Sequence, residues 1–166
     1  MNKIVMMTLL VSCASLFAAE EKRDGAKKTD AVRDTAQTEK RAMRMVTSAV
    51  ALLAGKEDES RAVGMLEAVE RMYSDTQARF SAALELGRHF IGKRDLDRAL
   101  AELKKCDAAS DPEVRAEGLL LQGDLYRAKQ RPGEAAMVLR RLTQDYPTSD
   151  FANEAFFRIG QIHFEA

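Results

Sequence analysis

From Arg41 onward apolar residues recur three and four positions apart, the spacing that gathers them on one face of a helix. Leu86, Gly87 and Phe90 share one such face, and Ala99, Leu103 and Cys106 share the next. The pattern predicts helices near 41–54, 59–73, 77–91, 96–109, 112–129, 133–144 and 151–165. Punctuation between them agrees. Ser74 with Gln77 has the spacing of a capping box, and Asp95 can cap the helix that carries Ala99. Asp111-Pro112 sets an acceptor at the cap and proline at the first helical position, and Pro132 or Gly133 closes the next turn. The run from Asp145 to Asp150 breaks one helix and caps another.

The pattern also repeats. Gly55-Lys56-Glu57-Asp58-Glu59-Ser60-Arg61-Ala62 returns as Gly92-Lys93-Arg94-Asp95-Leu96-Asp97-Arg98-Ala99, and again, worn, as Ala128 to Ala135. Gly87, Gly123 and Gly160 stand 36 and 37 residues apart, and three residues after each comes Phe90, Tyr126 or His163. Ala99 and Ala135 follow the first two, then Leu103 and Leu139, then Cys106 and Leu142. An earlier, eroded copy runs through Val50, Leu53, Ala62, Leu66, Val69 and Tyr73. A period of this length signals stacked helix pairs, because one pair cannot bury its apolar face alone. Glycine and alanine belong where two antiparallel helices approach closely, with larger side chains in the groove beside them.

Leu-Gly-x-x-Phe/Tyr, then Ala, Leu and Pro, resembles the tetratricopeptide repeat. The resemblance covers about residues 43 to 166 and implies an all-α, tetratricopeptide-like solenoid of about three antiparallel pairs plus one extra helix. The stretch from Asp145 to Gly160 is similar to repeats of the periplasmic Tol-Pal cell-division coordinator and of the outer-membrane-assembly lipoprotein. Gln122 and His163 depart from the family's apolar or aromatic preferences, and the first repeat lacks its glycine.

Ahead of the repeats, residues 1–19 have the layout of a secretory signal. Lys3 precedes an apolar run of 14 residues, Ile4 to Phe17, which falls short of the ~20 that span a bilayer. Cleavage after Ala18 or Ala19 is one route; lipidation of Cys13 in the lipobox-like Leu10-Val11-Ser12-Cys13 is the other. Both put the chain outside the cytoplasm, in the periplasm, with a lipid anchor to the outer membrane only by the second route. Residues 20–40 are charged and lack an apolar stripe, and are expected to form a solvated linker, with a frayed helix at its end, before the domain at 41–166.

Charge narrows the function classes. Basic and acidic residues number 26 each, so the basic excess of a nucleic-acid binder is absent. The two histidines, His89 and His163, lie in no metal-spacing motif; His163 is expected to pack and His89 to face solvent. Cys106 falls at an inward repeat position and is expected to be a small core residue. No phosphate loop or nucleophile elbow occurs, and the acidic clusters at helix starts are accounted for by the helix dipole. These features point to a non-enzyme without metal or cofactor.

Binding to a protein or peptide is the expected activity. In the resembling family the first helix of each pair lines a concave groove. On the faces away from the repeat core, this chain carries Leu84, Arg88 and Ile91; then Leu120, Asp124 and Arg127; then Phe157, Gln161 and Phe164. Each set forms one stripe of apolar and charged side chains, suited to an extended or helical peptide. Leu84 and Leu120 can equally serve as packing residues between repeats. A self-associating structural subunit, a homo-oligomer without peptide ligand, is the alternative. The last helix is expected to bury Phe156, Ile159 and His163, leaving Phe157, Phe164 and part of Ile162 uncovered.

Overall fold

A computed structural model describes residues 33–55 and 58–165. The chain divides into two units, 1–38 and 39–166. Of the first, only residues 33–38 are described, and they are helical. The signal segment, Cys13 and most of the charged linker therefore lie outside the described residues.

The second unit is helical from its first residue. The helical run 33–55 supplies α1 from residues 39–55. There follow α2 (Glu59–Met72), α3 (Ala78–Gly92), α4 (Leu96–Lys105), a 3-10 turn (Cys106–Ala108), α5 (Pro112–Ala128), α6 (Pro132–Asp145) and α7 (Asp150–Glu165). Helix is thus already present at residue 33, inside the expected linker. Ala42, Val46 and Ala49 anchor this helix in the core, and once a helix is nucleated each further residue adds a hydrogen bond. No glycine or proline lies between Arg33 and Lys40 to stop it.

Consecutive helices pack on one another, and α3 also touches α5, as α5 touches α7. This is the arrangement of a tetratricopeptide-like α-solenoid: three pairs, α1/α2, α3/α4 and α5/α6, with α7 as the extra helix. The core falls into three clusters, each built from one pair and reaching into the next helix. Ala42, Val46 and Ala49 meet Ala62, Leu66 and Val69, joined by Ala78, Ala82 and Leu86 of α3. The repeat alignment holds in space, since Leu66, Leu103 and Leu139 are each no more than 1% exposed. Burying such a side chain is worth roughly 1.5–3 kcal/mol.

The closest approach inside a pair is made at glycine. A Cβ built on Gly87 would stand 2.6 Å from Leu103 Cδ2, and one on Gly123 would stand 2.5 Å from Leu139 Cδ2. Both distances are far inside van der Waals contact, so each leucine occupies the space a side chain would need. Gln122, at a position held by leucine or isoleucine in the other copies, is buried and satisfied. Its Nε2 donates to the Leu103 carbonyl and to Asp107 Oδ1, each at 3.1 Å.

Turns within the second and third pairs are copies of each other. Arg94 and Gln130 have φ of 60° and 58°, the left-handed conformation usual for glycine at a helix end. Around each, a pair of backbone bonds closes the helix: Asp95 N–H to Phe90 O with Arg94 N–H to Ile91 O, and Arg131 N–H to Tyr126 O with Gln130 N–H to Arg127 O.

Helix starts show where local reading succeeds and where it fails. Asp58, Asp95 and Asp111 each accept a backbone N–H of their own helix, from Arg61, Arg98 and Glu113. The capping box at Ser74 and Gln77 does not form. Ser74 Oγ donates to the neighbouring Asp75 instead, and Gln77 caps nothing in α3. The cap comes from α1: both Glu39 carboxylate oxygens accept, at 2.8 Å, the N–H groups of Gln77 and Ala78. Gln77 Oε1 in turn accepts Ser110 N–H, and Ser149 Oγ donates to Glu113. One edge of the array is therefore stitched by side-chain bonds that each reach about one repeat along the chain.

Two substitutions check this account. Gly123→Ala is expected to destabilise the domain by ~1 kcal/mol or more, because overpacking against Leu139 costs roughly 1–3 kcal/mol and alanine's helix preference returns up to ~1. Gly64→Ala, where an added Cβ meets nothing within 4 Å, is expected to stabilise it. Equal urea midpoints for the two variants would contradict the close approach. Separately, Glu39→Ala should cost about 0.5–2 kcal/mol, the usual loss of a cap, although residue 39 is remote in sequence from α3; an unchanged midpoint would show that water caps α3 equally well.

Candidate partner-binding face

The first helices of the pairs, α3 and α5, run side by side with α7, and their outward stripes form one face. Its sequence-expected members divide into three groups. Leu84 and Leu120 are 6% and 4% exposed, so they are packing residues and offer nothing to a ligand. Leu84 lies among Ala99, Leu100 and Leu103 of α4 with Leu125 of α5, and Leu120 among Ala135, Ala136 and Leu139 of α6 with Ala155 and Ile162 of α7. Ile91 is half-buried against the same cluster as Leu84.

The polar members do come together, in rungs between adjacent helices. Arg88 of α3 pairs with Glu117 of α5. Asp124 of α5 receives Arg158 of α7 at 2.5 Å, and Arg127 Nη1 donates to Gln161 Oε1 at 2.8 Å. Glu85 and Glu154 flank the ladder by pairing with Arg88 and Arg158. Burial pushes the Asp124 carboxyl up from its ordinary value, with Arg158 and Arg127 pulling it back. Such exposed or half-exposed pairs are worth ~0–1 kcal/mol each. Their larger effect is to hold charges of both signs at defined spacing across three helices. Arg158 was not among the expected members, although it stands four residues after Glu154 on the same helix.

Phe157 and Phe164 lie elsewhere, at 66% and 93% exposed, and Phe156 joins them at 60%. With Gly160 and Gln161 they line an open hollow on α7. The expected inner face of this helix is thereby corrected. Ala152, Ala155 and Ile162 are the buried residues, Ile159 is half-buried, and Phe156 and His163 are exposed. The small Ala152 and Ala155 allow α7 to seat closely on the third pair, which turns Phe156 outward.

Titratable groups form no reactive constellation around this face. His163 Nε2 lies 3.1 Å from Arg140 Nη2 at the surface, not in the core. His89, expected at the surface, is largely covered, edge-on to the Phe90 ring and 3.5 Å from Glu59. Cys106 is fully buried and free, and burial pushes its thiol up to about 12, as fits an inert packing residue. Among the described residues no helix is long and apolar enough to cross a membrane.

The tetratricopeptide repeat family model matches residues 117–149, which take in most of α5, all of α6 and the turn after it. The match supports a tetratricopeptide repeat protein, and its length is close to one 34-residue repeat. No curated protein matches the chain. Tetratricopeptide arrays generally mediate protein–protein interaction and are typically non-catalytic scaffolds.

Proposed function

We propose that this chain is a non-catalytic scaffold of the bacterial cell envelope that binds a partner peptide or protein along the ladder face of α3, α5 and α7. The observation that carries the reading is the set of cross-helix rungs, Arg88 with Glu117, Asp124 with Arg158 and Arg127 with Gln161. Residues that pair with one another at half exposure can exchange those partners for a ligand's charges at little net cost, because the pairs themselves are weak. With Leu84 and Leu120 covered, the ligand is recognised by its charges and hydrogen bonds more than by apolar anchors. The envelope setting is supported by the apolar run Ile4–Phe17 behind Lys3 and the small residues Ala18 and Ala19. The likeness of 145–160 to repeats of the Tol-Pal coordinator and the outer-membrane-assembly lipoprotein favours the same setting.

Immobilised full chain should capture a defined partner from an envelope extract. Capture should fall at high salt, where exposed charge pairs are screened. It should be lost with Arg88→Glu/Arg127→Glu, while thermal stability stays nearly unchanged. Capture that ignores both salt and the double variant would overturn the ladder as the binding face.

Location has its own test. Residues 1–30 fused to a reporter active only outside the cytoplasm should give an active fusion. Cys13→Ala then separates the routes, since a lipidated protein loses its fatty-acid label and leaves the membrane fraction. An inactive fusion would remove the envelope from the proposal.

A further inference from the structure

A hollow of about 390 Å³ opens where the end of α2, the start of α3 and the end of α4 meet. Glu70, Arg79, Phe80, Lys105 and Ala108 line it. It lies on the far side of α3 from the ladder, because Arg79 precedes Arg88 by nine residues, about two and a half helical turns. Its size falls within the roughly 300–1,000 Å³ of small-molecule sites.

Two of the three charged residues in this lining are cations, and they differ in the donors they have free. Lys105 has none. Its ammonium carries three N–H groups, and three carboxylate oxygens accept from it: both of Glu70, at 3.0 and 2.8 Å, and Glu102 Oε2 at 2.5 Å. Arg79 is the reverse. Its guanidinium lies over the Phe80 ring, 4.3 Å from the ring centre, and among the described residues no carboxylate pairs with it. Its Nε is buried without an acceptor. Arg115, at the same position of the next repeat, also has a buried Nε without an acceptor, so stacking on a ring strands that atom in both copies. The surroundings are what differ. Phe80 and Ala108 are replaced by Ala116 and Gln144, and Arg115 lies over the Tyr146 ring instead, at 5.4 Å.

We infer that this hollow binds a small monocarboxylate that carries an apolar group, with the carboxylate on Arg79 and the apolar group against Phe80 and Ala108. A guanidinium matches a carboxylate through two parallel N–H···O bonds, and such a bond is stronger in a sheltered hollow than on open surface. One negative charge is what the lining lacks, since Glu70 is already matched to Lys105 and Arg79 is unmatched. A dianion such as phosphate would set a second charge beside Glu70 and Glu102. Negative charge is already disfavoured there: burial pushes the Glu70 carboxyl up from its ordinary value, Lys105 pulls it back, and Glu102 pushes it up again. A free acid and the last residue of a peptide present the same group to Arg79. Either one would bridge the first and second pairs, because the lining comes from α2, α3 and the end of α4. The site stands independently of the ladder face.

The probe is N-acetyl-leucine, titrated into the isotope-labelled full chain and followed by NMR. Saturable shifts are expected at Arg79 Nε–H and at the backbone N–H groups of Phe80 and Ala108. Arg79→Gln should weaken binding at least ten-fold, while Arg115→Gln should leave it unchanged. Ala108→Phe, at an exposed position on the rim, should fill the hollow and weaken binding as much, with Tm nearly unchanged. N-acetyl-leucinamide, which lacks the charge, should not bind. An acetylated pentapeptide ending in leucine separates the two sources: binding tighter than that of N-acetyl-leucine assigns the site to a peptide end, and equal or weaker binding assigns it to a free acid. Absence of saturable shifts at Arg79 with both acids would overturn the inference. So would binding that survives Arg79→Gln, or inorganic phosphate that binds as tightly as N-acetyl-leucine.

Discussion

The second and third pairs depend on how closely their two helices can approach, and glycine sets that distance. Leu103 and Leu139 stand where a side chain on Gly87 or Gly123 would be. Ala99 and Ala135 lie on the same helices as the seated leucines, and both are fully buried. The pair then closes with a short turn, and the turn takes the left-handed residue at 94 or 130 to make it. Residues left on the far side of α3 and α5 come to lie in one row, which is why Arg88, Glu117, Asp124 and Arg127 can reach the next helix. A single steric allowance thus fixes the pair spacing, the turn and the layout of the charged face.

Most of this was legible from periodicity. Five of the seven helices lie within a residue of their expected ends, because each carries its own apolar stripe and two of them start at an aspartate cap followed closely by that stripe. The exceptions are the first helix, already formed at residue 33, and α4, where the last expected residues include a 3-10 turn at Cys106–Ala108. Equivalent positions, once aligned, also have equivalent burial: Ala62, Ala99 and Ala135 are all fully covered. What the sequence did not disclose were contacts made at a distance. Glu39 looks like one more charge in a charged stretch, and nothing within ten residues of it suggests that it caps α3. Ser74 and Gln77 have the right spacing for a local cap, yet a carboxylate offering two oxygens to two N–H groups is the stronger acceptor and wins.

The binding face was legible only in part, for a related reason. A stripe drawn by helical spacing shows which residues share a face, not how deep the neighbouring repeat buries them. Leu84 and Leu120 share a stripe with Arg88 and Asp124, but are buried in the neighbouring core clusters. Phe156 was misplaced in the opposite sense. Judged by hydrophobicity it belongs inside, but Ala152 and Ala155 already fill the contact with the third pair. Aligning α7 with α3 and α5 position by position would have flagged the difference, since Phe156 and Phe157 correspond to residues that a second helix covers.

The stitched edge has a mechanical consequence. Glu39 ties α1 to α3, Gln77 ties α3 to the segment before α5, and Ser149 ties the start of α7 to α5. Each tie joins only near neighbours, so tension applied along the chain is carried from one repeat to the next in series. In such a series the weakest joint yields first. Loss of one tie, such as Glu39 on α3, therefore loosens a single joint and leaves the others closed.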